Sequence, residues 1–408
     1  MTKKNIKNNH NMPLNNPTPN FTKLRNILSG LERPERVHFV EFLVDEEVMQ
    51  IILSELMNKP FPFKESNQIA QKKNNNFIKK GRKISALSEK EEMLLIKGYI
   101  DFYYLLGYDY VPDLRTNKLL VSMLNPFSRD AKDTAIIPKI YSTSSSVGNF
   151  ESKRQWIEES KGIITCWKDF NDFQWDKINV DIDGYYNFMC ENLPSGMKII
   201  PFHGVYEGVA DQLLGQQGLY YMLYDQPELV EAVINEWGKI CYNFYKSTVK
   251  YECVGAICNG DDLGYRNGTM ISPEWIRKLL IPWYKKFSVL AHESNRSFWV
   301  HCCGNVKEIM KDFIEVVKID AFHSFQDIII PVADFQEKYG DSIGVMGGVD
   351  VDKMARFEEN DLRKYIRIIL DKCMEKGRYA LGSGNSITNY IPIENYLIML
   401  EEGQRWRV

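Results

Sequence analysis

An imidazole and a thiol stand two residues apart at the end of an apolar run, Ser297-Phe-Trp-Val-His-Cys-Cys-Gly-Asn305. Residues 298–302 read as a short buried strand. Side chains alternate along a strand, so His301 and Cys303 share one side and Cys302 takes the other. A neutral imidazole and a thiolate are two good zinc ligands. His-x-Cys is only half of what a structural zinc site shows, so the remaining donors must come from elsewhere in the chain. Gly304 lets the chain turn away from the strand, and residues 306–316 read as a helix.

Other apolar runs end in polar groups of the same kind. They are His203-Gly-Val-Tyr-Glu207, Asn259-Gly-Asp-Asp-Leu-Gly264, His323-Ser-Phe-Gln-Asp327, Gly347-Gly-Val-Asp350 and Gly382-Ser-Gly-Asn-Ser386. With His301, three of the six histidines stand at such ends. Glu207, Asp261 and Asp262 are the candidate carboxylates for proton transfer. His203, Tyr206, His323, Asp350 and Asn385 are the candidate substrate contacts. Each has a plainer reading. Asp261 or Asp262 caps a turn, His323 is a hydrogen-bonded core histidine, Glu207 is solvated, Asp350 caps a helix, and Cys258 and Cys302 are packing residues.

The elements that must position these groups alternate in type. Strands are expected at 37–43, 108–111, 198–203, 253–258, 298–302, 319–323, 343–346 and 379–381. Helices are expected between them, among them 228–250, 272–292, 332–339 and 359–376, and a last one from 394 to about 403. Ser272-Pro273 is a helix-start signal. Alternating strands and helices imply right-handed crossovers and a parallel sheet. Eight strands is the number of a closed (β/α)8 barrel, whose chemistry sits where strands end and the following loops begin. The expected fold is therefore α/β, a (β/α)8 TIM barrel with an N-terminal helical extension and an insertion at about 114–170. An open doubly wound sheet is disfavoured because no Gly-rich phosphate fingerprint follows an early strand.

Residues 1–20, rich in Asn and Lys, read as a disordered tail, and 21–408 as a single domain. Residues 63–83 read as a polar surface loop, and 142–146 as a Ser-rich bend. The chain has 408 residues, 44% hydrophobic and 26% charged, with a formal net charge of -3. That balance gives no argument for nucleic acid or an anionic membrane. No apolar run approaches the roughly 18 residues of a membrane span. The eight cysteines are scattered and form no disulfide framework, and no secretion signal opens the chain. A cytoplasmic location is expected.

These motifs resemble the uroporphyrinogen decarboxylase superfamily, from about Glu32 to the C-terminus. The residues that carry the resemblance are Asp261-Asp-Leu-Gly264 with Met270-Ile-Ser-Pro273, His301-Cys-Cys-Gly304, Gly347-Gly-Val-Asp350, and Gly382-Ser-Gly-Asn-Ser-Ile-Thr-Asn-Tyr-Ile-Pro-Ile-Glu-Asn395. The chain looks most like the branch that includes corrinoid-dependent methyltransferases. The resemblance implies a (β/α)8 barrel, zinc at His301 and Cys303, and a corrinoid carried by a partner protein. Two departures stand out. Where the decarboxylase proper has an arginine-rich segment gripping its substrate's carboxylates, this chain reads Phe39-Val-Glu-Phe-Leu-Val-Asp-Glu-Glu47, which would repel a polycarboxylate. The zinc methyltransferases take a third ligand from a later cysteine, and that position falls on Asn385. Glu207, Asp262 or His203 must then supply the missing donor.

The expected activity is a zinc-assisted transfer of a methyl group between a small substrate and a corrinoid protein. The alternatives are a metal-free decarboxylase of a tetrapyrrole or other small acid, resting on Asp261 or Asp262, and a non-catalytic corrinoid or small-molecule binding protein. A homodimer paired through the opposite barrel face is compatible with either enzyme.

Overall fold

The computed structural model describes residues 12–59, 89–113, 115–116, 141–147, 150–156 and 162–407. The chain divides into two compact units, one of residues 113–191 and 199–323, the other of the remainder. The fold is α/β, and among the described residues the strands outside one hairpin form a seven-stranded sheet.

In the first unit, strands β4 (Lys198–His203), β5 (Ala256–Gly260), β6 (Ser297–His301) and β7 (Ala321–His323) lie side by side, parallel and in chain order. Their register sets His203 opposite Asn259, Gly260 opposite His301, and His301 opposite His323. The polar strand ends therefore finish level. Helix Pro227–Thr248 covers one face through Leu229, Val230, Val233, Ile234, Trp237, Cys241, Phe244 and Tyr245, the three-and-four spacing of an amphipathic helix. The Tyr245 hydroxyl lies 2.9 Å from the His203 carbonyl and 2.7 Å from the Cys258 carbonyl, tying two strand ends together. Ser272 caps helix Pro273–Leu279 as its sequence signals, and helix Ile281–Glu293 follows. The expected helix at 306–316 is instead a 3-10 turn, Lys307–Ile309, and a π turn, Asp312–Val317. The Ser-rich stretch is a strand, β2 (Tyr141–Val147), antiparallel to β3 (Phe150–Trp156), and not a bend. Cys190 and Cys253 form a disulfide, a pairing that scattered spacing does not signal.

In the second unit, β8 (Gly344–Met346) pairs parallel with β9 (Tyr379–Ala380). The expected strand at 37–43 is an extended segment joined to the chain after β9 by isolated parallel bridges, Phe39 to Leu381 and Val44 to Ile387. Its β-forming residues fit a ladder, but its partner turns at Gly382, where a Cβ would lie 1.9 Å from the Val40 carbonyl oxygen. β1 (Tyr110–Asp113) begins in this unit. Helices Val332–Tyr339, Glu359–Lys376 and Ile393–Arg405 stand where periodicity places them. Residues 12–19 of the expected tail are ordered: Met12 is buried and the Leu14 N–H donates to the Leu105 carbonyl at 2.8 Å. Residues 1–11 and the loop at 63–83 lie outside the described residues. Among the described residues no helix is long and apolar enough to cross a membrane.

Candidate metal centre

The level strand ends bring three donors together. His301 closes β6 and is buried, Cys303 follows two residues on, and Asp262 follows β5. His301 Nε2 lies 3.4 Å from Cys303 Sγ, so the two side chains share a side although Cys303 lies two residues past the end of β6. The Asp262 carboxylate accepts the Cys303 N–H at 3.3 Å. The ligand atoms of Asp262, His301 and Cys303 all lie within 4.8 Å of one another. Tetrahedral zinc at about 2.0–2.3 Å from each donor needs donors roughly 3–4 Å apart, so the group fits after small side-chain movements. Asp262 is exposed and Cys303 half-buried, which leaves one side open. Three protein donors with an open fourth position is the pattern of a catalytic, not a structural, zinc site.

Glycines bring the two loops into contact. The Gly264 N–H donates to the Cys303 carbonyl at 3.1 Å and the Asn305 N–H to the Tyr265 carbonyl at 2.8 Å. Gly304 sits at φ +80°, a conformation that side chains disfavour. Asp-Asp-Leu-Gly and His-Cys-Cys-Gly are therefore two halves of one structure.

Asp261 is a clamp beneath this group. Its oxygens accept four donors: the Val205 N–H at 3.0 Å, the Glu207 N–H at 3.0 Å, Asn259 Nδ2 at 3.0 Å and the Tyr284 hydroxyl at 2.5 Å. It fixes the turn after β4 and has the plainer role that its sequence context allowed. Burial raises its pKa, against the lowering effect of these donors, Tyr284 first. Glu207, on the turn that Asp261 holds, has a carboxyl pushed well above the usual range. Burial is the first cause, followed by the negative charges of Asp262, Asp261 and Asp211, and the Asp262 N–H opposes them. The Glu207 carboxyl therefore favours its protonated form more than a free glutamate does, and it lies near Asp262. Burial alone depresses His301 to about 4, so the ring is neutral and fit to bind a metal. Behind it, His323 Nδ1 lies 2.6 Å from His301 Nδ1.

His203 is not part of this group. It faces the helical layer, its ring 5.3 Å from Trp237 and 5.9 Å from Phe244. Its Nδ1–H donates to the Gly204 carbonyl at 2.8 Å, and burial lowers its pKa to about 4. The neighbour that shares the His301 side of β4 is Phe202, with ring centroids 5.9 Å apart. A one-residue step along a strand reverses the face, which is why His203 cannot donate here. Tyr206 is buried, its hydroxyl pKa raised by burial and by Tyr220.

Asp350 and Asn385 belong to the other unit. One Asp350 oxygen accepts the Asp352 and Lys353 N–H groups at 3.0 and 3.2 Å, capping helix Val351–Arg356, and the other accepts the Asp327 N–H at 2.8 Å. Both oxygens are thus in use for local structure. Asn385 is half-buried after Gly384, whose N–H donates to the Val349 carbonyl at 2.7 Å. Sequence reasoning passed over Asn259 and Tyr284. Asn259 opens the polar strand end Asn259-Gly-Asp-Asp-Leu-Gly264, so its position carried a signal although no role was assigned to it. Tyr284, on a helix otherwise read as packing, carried none.

No curated protein sequence matches the chain. The fold is shared with a methyltransferase from Methanosarcina mazei, at 14% identity over 95% of this chain and 98% of that one, with a TM-score of 0.62. A Listeria monocytogenes protein described as a provisional vitamin-B12 independent methionine synthase aligns at 10% identity over 91% of this chain and 96% of that one, with a TM-score of 0.45. The family model for uroporphyrinogen decarboxylase (URO-D) matches residues 188–406, more than half of the chain and all of the donor group above. The chain belongs to the uroporphyrinogen decarboxylase family.

Proposed function

We propose that this protein is a zinc-assisted methyltransferase that moves a methyl group between a small substrate and a corrinoid carried by a separate protein. The observation that carries the reading is the convergence of an oxygen, a nitrogen and a sulfur donor, from Asp262, His301 and Cys303, around one open position. In this reading the fold is a closed (β/α)8 barrel with the extended segment at 37–44 as its first strand, which the bridge from Phe39 to Leu381 supports.

Asp262, His301 and Cys303 would hold the zinc, which would supply Lewis acidity toward the heteroatom that carries or receives the methyl group. The chain's own residues supply the rest. His301 and Cys303 fix one edge of the site, and the buried Asp261 clamp holds the turn that presents Glu207. A protonated Glu207 suits the direction in which a methyl group leaves an oxygen, nitrogen or sulfur for the corrinoid. The heteroatom keeps the bonding pair, and the Glu207 proton neutralises it. Tyr206, on the same turn, borders the substrate. Asp262 replaces the later cysteine of the zinc methyltransferases as third ligand, so Asn385 is released from that task.

The test is zinc per chain in the wild type and in Cys303→Ala. Near-stoichiometric zinc that is lost in the variant supports the site, and equal content in both rejects it. A metal-free decarboxylase is less well supported, because Asp261 already spends both oxygens on four donors. Carbon dioxide release from uroporphyrinogen under anaerobic conditions with a chelator present would favour it. A non-catalytic binding protein predicts ligand binding that survives Cys303→Ala without turnover.

A further inference from the structure

His301 and His323 meet Nδ1 to Nδ1 at 2.6 Å. A neutral imidazole carries one N–H and one bare nitrogen. Two bare nitrogens would repel at this distance, and so would two N–H groups, so a single proton lies between the rings. Two arrangements satisfy this. In one, His301 holds the proton on Nδ1, and its Nε2 lone pair faces Cys303 Sγ, 3.4 Å away. In the other, His323 donates, and the His301 proton sits on Nε2, where it blocks a metal. Only the first leaves Nε2 able to act as a ligand.

We infer that His323 is the positioning residue of the metal centre: its Nδ1 lone pair accepts the His301 Nδ1–H and commits His301 Nε2 to the metal. The inference rests on the metal reading above and adds a role for a residue that donates nothing to the ion itself. The arrangement is built into the sheet. His301 and His323 are paired positions on adjacent parallel strands, both buried, with ring centroids 4.8 Å apart. Neighbouring strands are spaced by about this distance, so level side chains on one face stack by construction. Metal-bound histidines generally donate their second ring N–H to an acceptor, and removing that acceptor costs about 10–100-fold in metal affinity.

A packing role and a positioning role for His323 separate experimentally. His323→Phe keeps a ring but removes the acceptor, and His323→Gln keeps an acceptor without the ring. Zinc affinity is measured by competition with a chromophoric chelator, alongside the thermal midpoint of each protein. The expected result is a fall of about 10–100-fold in His323→Phe and substantial recovery in His323→Gln. Nitrogen-15 NMR of the zinc-loaded wild type, which needs no substitution, is expected to show His301 protonated on Nδ1 and metal-bound through Nε2. Wild-type affinity retained in a folded His323→Phe, or zinc bound through His301 Nδ1, overturns the inference while leaving the metal reading standing. A wild type that takes up no zinc overturns the metal reading and this inference with it.

Discussion

Gly304 and Gly264 pack backbone against backbone. A Cβ on Gly304 would lie 2.1 Å from the Gly264 carbonyl carbon and oxygen, and one on Gly264 would lie 2.6 Å from the Asn305 nitrogen. This contact holds Asp262 against the Cys303 N–H. Gly304→Ala meets both the clash and the positive φ, and it is expected to lower stability by about 1–3 kcal/mol and to weaken zinc binding with it. Gly268→Ala is the control, since its nearest neighbour is 3.8 Å away. Urea unfolding and zinc titration of the two variants check this, and equal behaviour would mean that the loop contact does not position the donors.

Asp261 gives the second expectation. An asparagine there offers one acceptor oxygen and points an amide N–H at groups that are themselves donors. Asp261→Asn is expected to cost about 2–4 kcal/mol, measured by urea unfolding. Tyr284→Phe removes one donor of four and is expected to cost only about 1 kcal/mol. The ordering of the two is the test. A larger loss in Tyr284→Phe would mean that the tyrosine acts through packing and not through the carboxylate.

The centre was legible where chemistry and local geometry coincide. Strand alternation alone put His301 and Cys303 on one side, and the glycines marked the loops that touch. It was not legible where a single-residue phase decides. His203 and Phe202 are adjacent, and only the observed β4 shows that the phenylalanine, not the histidine, shares the His301 side. The third donor was left open among Glu207, Asp262 and His203, because convergence of separate loops is a property of packing that no local pattern encodes. Helix periodicity located residues 332–339 and 359–376 to the residue. The segment at 37–43 shows the limit of β propensity, since a ladder also needs a partner that does not turn away.

Glu41 sets a pH dependence of stability. It is fully buried, accepting the Ser383 N–H at 3.1 Å and the Ser383 hydroxyl at 2.7 Å, and burial raises its carboxyl to about 8 from 4.5. The folded state thus binds a proton that the unfolded chain releases near 4.5. The Glu41 contribution is fully present below pH 4.5 and is lost as pH rises through about 8. Stability is expected to fall across that window, by on the order of a few kcal/mol. Glu41→Gln, which is neutral at every pH, should flatten the slope. An unchanged slope in the variant would assign the dependence to another group.

His203 separates the two faces of β4. Its ring lies among Trp237, Phe244 and Cys241, with Nδ1 bonded to the Gly204 carbonyl. His203→Phe fills similar space and touches none of the three donors, so zinc content and affinity are expected to match the wild type. Acid stability should change instead. Burial holds the folded-state pKa at about 4, below the ordinary 6.5, so the neutral ring's contribution is present above 6.5 and is lost as pH falls through about 4. The variant lacks that titration, and its stability should fall less steeply than the wild type's between those values. Denaturant midpoints from pH 7 to pH 4, with zinc measured on the same samples, decide the matter. A loss of zinc in His203→Phe comparable to that in Cys303→Ala would return His203 to the candidate ligands and remove Asp262 from its place as the third.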